Sequence, residues 1–341
     1  MSERANDVVL SIKDLHVNFY TNKRCNKVLR GIDFDIKRGK TLCIVGESGC
    51  GKSVTANAIL RLLPELSRIE SGSITYYREN GEAVRIDQLE KNGKEMRSLR
   101  GKDIAIIFQD PMTALNPVYT VGSQIREMIH QHKPNLDAKA LKKESIEDLA
   151  DMGIPAAEIR YGEYPHQFSG GMRQRAMIAM AMSCEPKILL ADEPTTALDV
   201  TISAQIFDLM NNLKKTHGTA IMMITHNMGV VAEMADDVAV MYMGNIVEYG
   251  TVEDIFTHPT HPYTQALLRS IPVLGKGKNQ QLEPIRGSTP DPFNRPKGCQ
   301  FCPRCDYADK RCEEEMPSNE WVSQGHYTRC FHYREALADG E

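Results

Sequence analysis

The stretch Gly46-Glu47-Ser48-Gly49-Cys50-Gly51-Lys52-Ser53 fits the pattern G-x-x-x-x-G-K-[ST], and its flanks agree with it. Before it, Thr41-Leu42-Cys43-Ile44-Val45 reads as a short buried strand. After it, Val54 to Leu63 reads as a helix. The three glycines permit a curl whose N–H groups converge. With a helix N-terminus behind them, these donors make a concave anion site. In such a loop Lys52 reaches the terminal phosphates and the Ser53 hydroxyl sits on Mg²⁺. The competing reading is a chance match in a glycine turn. The strand before the loop and the helix after it weigh against that.

Working outward, the 341 residues suit one large domain plus an appendage, or two modest domains. A net charge of −4 excludes a chain that binds polyanions over its whole surface, so no nucleic acid is expected. No run approaches the roughly 18 apolar residues of a membrane span. Met1 to Asp7 is polar, with no signal-peptide core, which points to the cytoplasm.

Residues 8–20 and 28–36 alternate, with Ile32, Phe34 and Ile36 opposite Asp33 and Asp35. With Ser73 to Tyr77 they suggest a small antiparallel sheet beside the loop. Ile104 to Phe108 is a continuous apolar run, as in a buried parallel strand, and ends at Gln109. A mostly helical stretch follows from about Val121 through Met152, its polar run Lys139 to Glu147 facing solvent. Ser169-Gly170-Gly171 opens an apolar helix over Arg175 to Met182 and offers a second amide-rich anion site. Lys187 to Glu193 is a strand ending in two carboxylates. Ala220 to Ile224 leads to His226, and Val238 to Tyr242 leads to Gly244. Strands alternating with helices, with polar residues at the strands' carboxyl ends, make a doubly wound parallel sheet with ligands at that edge. Residues 271–298 are rich in proline and glycine, without periodicity, and read as a linker or an extended segment hugging the surface.

The loop, a glutamine after a buried strand, Phe168-Ser169-Gly170-Gly171-Met172-Arg173-Gln174, Asp192-Glu193, Ala197-Leu198-Asp199 and His226 come in one order. From about residue 8 to 260 the chain resembles the ATP-binding subunits of ABC transporters, with Met-Arg-Gln in the signature where Gln is commoner. Ile107 to Pro117, Tyr164-Pro165-His166-Gln167, Asp192 to Thr201 and His261 to Leu268 narrow the resemblance to the dipeptide/oligopeptide importer ATPases. The resemblance implies an α/β fold: a P-loop NTPase (RecA-like) core with an antiparallel β-subdomain, an ABC α-helical subdomain at about 110–182, and a small cysteine-rich C-terminal extension. The ATP-binding domain would run over 8–261 and the extension over 262–341.

The resemblance also implies roles. ATP would contact Phe19 or Tyr20 by stacking, every residue from Gly46 through Ser53, and Val54. Ser53, Gln109 and Asp192 would hold Mg²⁺. Glu193 would be the catalytic base, assisted by Lys52, Gln109 and His226. A second carboxylate in the metal shell is the rival role for Glu193. Ser169, Gly170 and Gly171 would complete the nucleotide site of another subunit, since ATP lies at a dimer interface. The implied partners are a second, DppF/OppF-like ATP-binding subunit in a heterodimer, two transmembrane permeases and, indirectly, an extracellular substrate-binding protein. The chain would sit peripherally at the cytoplasmic face of the cell membrane. Nickel or oligosaccharide cargo, a soluble non-transport ABC ATPase and a redox-sensing module are the alternatives.

Of nine cysteines, Cys25, Cys43, Cys50 and Cys184 are scattered, Cys43 and Cys184 reading as core and Cys50 as a loop filler. Cys299, Cys302, Cys305, Cys312 and Cys330 cluster, which in a reduced compartment argues for metal. The spacing of Cys299, Cys305, Cys312 and Cys330 resembles a 4Fe-4S pattern of this subfamily, with Cys302 an alternate ligand. Zinc suits four thiolates equally. The tail holds too little apolar residue to fold alone, so a metal staple is expected.

Overall fold

The computed structural model describes residues 7–21, 24–196, 198–271 and 284–338. Residues 1–6, Ala197 and residues 272–283, on which parts of the expectations above fall, lie outside them. In chain order the strands are β1 (Val8–Thr21), β2 (Arg24–Lys37), β3 (Thr41–Val45), β4 (Ser67–Tyr77), β5 (Ala83–Arg85), β6 (Ile104–Ile107), β7 (Ile188–Asp192), β8 (Ala220–Thr225), β9 (Asp237–Tyr242), β10 (Asn245–Thr251), β11 (Glu320–Ser323) and β12 (His326–Thr328). The helices are α1 (Lys52–Ile59), α2 (Lys94–Leu99), α3 (Pro111–Ala114), α4 (Val121–His132), α5 (Ala138–Asp151), α6 (Ala157–Arg160), α7 (Gly170–Met182), α8 (Val200–His217), α9 (Met228–Met234), α10 (Val252–Thr257), α11 (Pro262–Arg269), α12 (Lys310–Glu314) and α13 (Tyr333–Ala338).

The chain divides into two compact units. Of the described residues, the first holds 7–9, 36–40 and those within 88–223. In it β6 and β7 pair in parallel, Ile104 opposite Ile188 and Ile107 opposite Ala191, with β8 beside β7. All five residues of β7 are buried, as expected of a parallel strand covered on both faces. Phe108, expected to end β6, lies beyond it and is 42% exposed. The long helical stretch is two helices: Pro134 interrupts it, and Asp137 caps α5 by accepting from the Ala140 N–H. α4 packs on α5 and α7, and α7 on β6.

Of the described residues, the second unit holds those within 10–35, 41–87, 224–271 and 284–338. One of its sheets has the order β2-β1-β4-β5, with β4 antiparallel to both β1 and β5. The other runs β11-β12-β10-β9-β3. β3 and β9 are parallel, and β9, β10, β12 and β11 then pair antiparallel in turn. The wholly parallel sheet expected from the sequence thus carries antiparallel strands along one edge. The extension does not rest on a metal alone, because β12 pairs with β10 and its His326 donates to or accepts from the wholly buried Glu248 across 2.9 Å. α1 stops at Ile59, short of the expected Leu63. Arg61 turns into the left-handed region (φ 53), ahead of Pro64. Among the described residues, no helix is long and apolar enough to cross a membrane.

Candidate functional site

The phosphate loop joins β3 to α1 within the second unit. A Cβ on Gly46 would lie 2.1 Å from the Met241 carbonyl oxygen of β9, so nothing larger fits. Gly51 has φ 111, a left-handed value that side chains resist. Lys52 is buried, and its Nζ donates to the carbonyls of Gly46 (2.7 Å) and Glu47 (3.0 Å), so the ammonium is held over the loop. Ser48, Gly49 and Ser53 are exposed, Glu47 and Val54 half-buried. The first turn of α1 holds no acidic residue, so no side chain of that turn opposes an anion at the helix's positive end. Cys50 is buried beneath the loop, and burial raises its thiol pKa despite the nearby Lys52 charge, which fits an inert filler.

Glu47 is tied to the C-terminal extension. Its carboxylate accepts from Arg304 Nη1 (2.7 Å), Arg304 Nη2 (3.0 Å) and Thr289 Oγ1 (3.0 Å), and its N–H donates to the Tyr263 hydroxyl (2.9 Å). Partial burial works to raise its pKa. The hydrogen bonds from Arg304 and Thr289, with the charges of Arg304 and Lys52, outweigh this and hold it below the usual carboxylate value. Arg304 and Tyr263 were not among the candidate residues, because Glu47 and Arg304 stand 257 residues apart.

The first unit brings Gln109 and Glu193 together: Gln109 Nε2 donates to Glu193 Oε2 across 3.0 Å. The Thr196 hydroxyl donates to the same oxygen at 2.9 Å. Thr196 was missed, although Glu-Pro-Thr-Thr promises a turn that returns a hydroxyl to the glutamate. Asp192 ends β7 and is buried, and Glu193 follows with φ 46, an unfavourable backbone for a residue with a side chain. In the same unit Ser169 caps α7, its Oγ accepting from the Met172 N–H (3.3 Å). Gly170 and Gly171 form the first turn of that helix. Arg173 steadies the approach by donating to the carbonyls of Phe168 and Pro165.

In the second unit His226 follows β8 and is exposed. Phe19 and Tyr20 are neighbours near the end of β1 and so project to opposite faces. The Tyr20 hydroxyl donates to Glu70, and the Arg68 guanidinium lies 5.6 Å from its ring centre.

The clustered cysteines lie around a short turn, Cys302–Arg304, and α12. The Cys299 N–H donates to the Cys312 carbonyl (2.8 Å). Burial raises the pKa of every one of the five thiols. For Cys305, burial and then the nearby Cys299, Cys312 and Cys302 push it up to about 12. For Cys330, burial and then Cys305, Cys299 and Cys312 do the same. A charge on one of these thiols thus disfavours a charge on its neighbours. Thiolate is the donor type that both iron–sulfur clusters and zinc take. Cys302 is influenced, after burial, by Glu313 and Asp309. Among the described residues, the group of possible ligands whose donor atoms lie within 4.8 Å of one another is Asp309, Cys312 and His332, and Cys312 is its one cysteine. Cys43 is buried as expected, and Cys184 is only partly so.

Comparison with known proteins identifies the family. A family profile described as "ABC transporter" matches residues 29–196, and one described as "Oligopeptide/dipeptide transporter, C-terminal region" matches residues 247–312. The chain is 48% identical to the dipeptide transport ATP-binding protein DppD of Bacillus subtilis, over 95% of this chain and 94% of that protein. It is 48% identical to the oligopeptide transport ATP-binding protein OppD of the same organism, over 94% of this chain and 88% of that protein. Among solved structures, the dimeric MJ0796, a bacterial ABC transporter cassette, is similar with a TM-score of 0.62 at 25% identity, covering 71% of this chain and 98% of that one. The chain belongs to the ATP-binding subunits of ABC transporters, in the dipeptide/oligopeptide group.

Proposed function

We propose that this chain is the subunit that hydrolyses ATP to power uptake of di- and oligopeptides through an ABC importer. The carrying observation is Glu193 at the end of β7, next to Asp192, with its carboxylate held by Gln109 and Thr196. Phosphoryl transfer to water needs neutralised phosphates and an aimed water. Lys52 and the loop amides supply the first. Glu193 accepts a proton from the attacking water, and Gln109 and Thr196 keep its carboxylate in one orientation. Ser53, Asp192 and Gln109 are the residues that would hold Mg²⁺, which spreads the charge of the transferred phosphate. His226 is proposed to contact the terminal phosphate, and Phe19 or Tyr20 to stack on the base. The Ser169-Gly170-Gly171 turn is proposed to serve the nucleotide of a second, different ATP-binding subunit.

Phe108, Met112, Val118 and Tyr119 are large, exposed and apolar around Gln109 in the sequence, and would dock the permeases. That contact would keep the chain at the cytoplasmic face of the membrane. Cys299, Cys305, Cys312 and Cys330 would hold a 4Fe-4S cluster with a structural role, with zinc the rival occupant and Cys302 the alternate ligand.

The test is ATP hydrolysis by the assembled transporter, with labelled tripeptide uptake in cells carrying or lacking this chain. Both activities should vanish with Lys52→Ala. Hydrolysis without any loss of peptide uptake on deletion would move the cargo to nickel or an oligosaccharide.

A further inference from the structure

The residues that fix Glu47 come from the C-terminal extension, outside the nucleotide motifs. Arg304 presents two guanidinium nitrogens to the two carboxylate oxygens, the bidentate geometry that a lysine cannot reproduce. The Arg304 side chain is only 4% exposed. Its Nε donates to the Arg286 carbonyl at 2.7 Å, and its guanidinium lies 5.9 Å from the Tyr242 ring and 5.8 Å from that of Phe301. Phe301 in turn packs on Tyr242 and Tyr263, ring centres 5.4 Å apart in both pairs. The fork is therefore locked before it meets Glu47. On the other side of Glu47, its carbonyl accepts from Lys52 Nζ. A continuous path thus runs from Arg304 through Glu47 to the phosphate-binding lysine.

The electrostatics give this path a task. A carboxylate inside a phosphate loop opposes the binding of a polyanion. Arg304 cancels that charge and holds the carboxylate away from free rotation, while Tyr263 fixes the adjoining backbone N–H. We propose that Arg304 and Tyr263 are positioning residues for the phosphate loop, and that Arg304 sets nucleotide affinity by neutralising Glu47. This rests on the reading of residues 46–53 as an ATP site.

The experiment is titration of the full-length chain with a fluorescent ATP analogue, alongside thermal unfolding and the split between KM and kcat in the assembled transporter. Arg304→Ala should weaken binding about tenfold, as loss of a charged hydrogen bond implies, and raise KM more than it lowers kcat. Arg304→Lys should restore part of the affinity. Adding Glu47→Gln to Arg304→Ala should recover affinity to within about threefold of the starting chain, because the uncancelled charge is gone. A purely structural role for Arg304 forecasts no such rescue, and a double variant as weak as Arg304→Ala overturns the proposal. Should Arg304→Ala fail to fold, Tyr263→Phe and Arg304→Lys decide: affinities unchanged in both overturn it. An unaltered chain that does not bind the analogue, or a Lys52→Ala chain that binds it equally well, removes the ATP-site reading itself, a result distinct from an Arg304 variant that binds as well as the unaltered chain.

Discussion

Gln109 Nε2 and Thr196 Oγ1 both donate to Glu193 Oε2, so the hydrogen bond from Gln109 to Glu193 at 3.0 Å shares its acceptor oxygen with that from Thr196 at 2.9 Å. Two donors converging on one oxygen set the plane in which the carboxylate lies. The left-handed backbone at Glu193 adds a cost that persists only because the surrounding turn imposes it.

Replacing Glu193 by Gln preserves size but removes the proton acceptor. Turnover should fall at least about a hundredfold while ATP remains bound. Single-turnover hydrolysis with radiolabelled ATP, together with retention of nucleotide on a desalting column, checks both halves. Near-normal turnover would reassign the base.

Thr196→Val removes one donor to Glu193 Oε2 and keeps the shape. Its kcat should drop by about threefold to tenfold, with KM for ATP nearly unchanged, because orientation rather than binding is lost. Steady-state ATPase assays on the assembled transporter separate the two constants.

His261 supplies a pH dependence of stability. It is buried and caps α11, its Nδ1 accepting from the Tyr263 N–H at 3.0 Å. Burial pushes its pKa down to about 4, with the charge of Glu248 opposing in part. The folded ring thus stays neutral while an unfolded one protonates near 6.5. Its contribution is full above about pH 6.5 and is lost as pH falls toward 4, at up to about 1.4 kcal/mol per pH unit. Urea unfolding across this range should show the slope, and His261→Asn, which keeps a cap acceptor, should flatten it.

The thiol set carries its own test. Anaerobically purified protein should be brown, with iron and sulfide each near about four per chain, as a 4Fe-4S cluster requires. Cys330→Ser should lower both contents and the melting temperature. Colourless protein carrying zinc would replace iron in this site.

The strand-loop-helix at 41–59, the buried strands ending at Asp192 and Thr225, and the helix opening at Gly170 were legible because each is written within about ten residues. Backbone geometry and side-chain period act over that range. The helix end at Ile59, the break at Pro134 and the exposure of Phe108 were less legible, since element ends depend on competing local interactions. Strands β10, β11 and β12 went unread: β11 and β12 are four and three residues long and gain their pairing from a neighbour rather than from their own pattern.

By itself the sequence determined the phosphate loop, the order of the motifs and the crowding of cysteines after residue 298, because each is a matter of residue type and spacing. Only the tertiary structure decided that Thr196 joins Gln109 on Glu193, that β12 extends the sheet at β10, and that Arg304 closes on Glu47. Those partners meet through the packing of surfaces far apart in the chain, and no local preference encodes a contact across 257 residues.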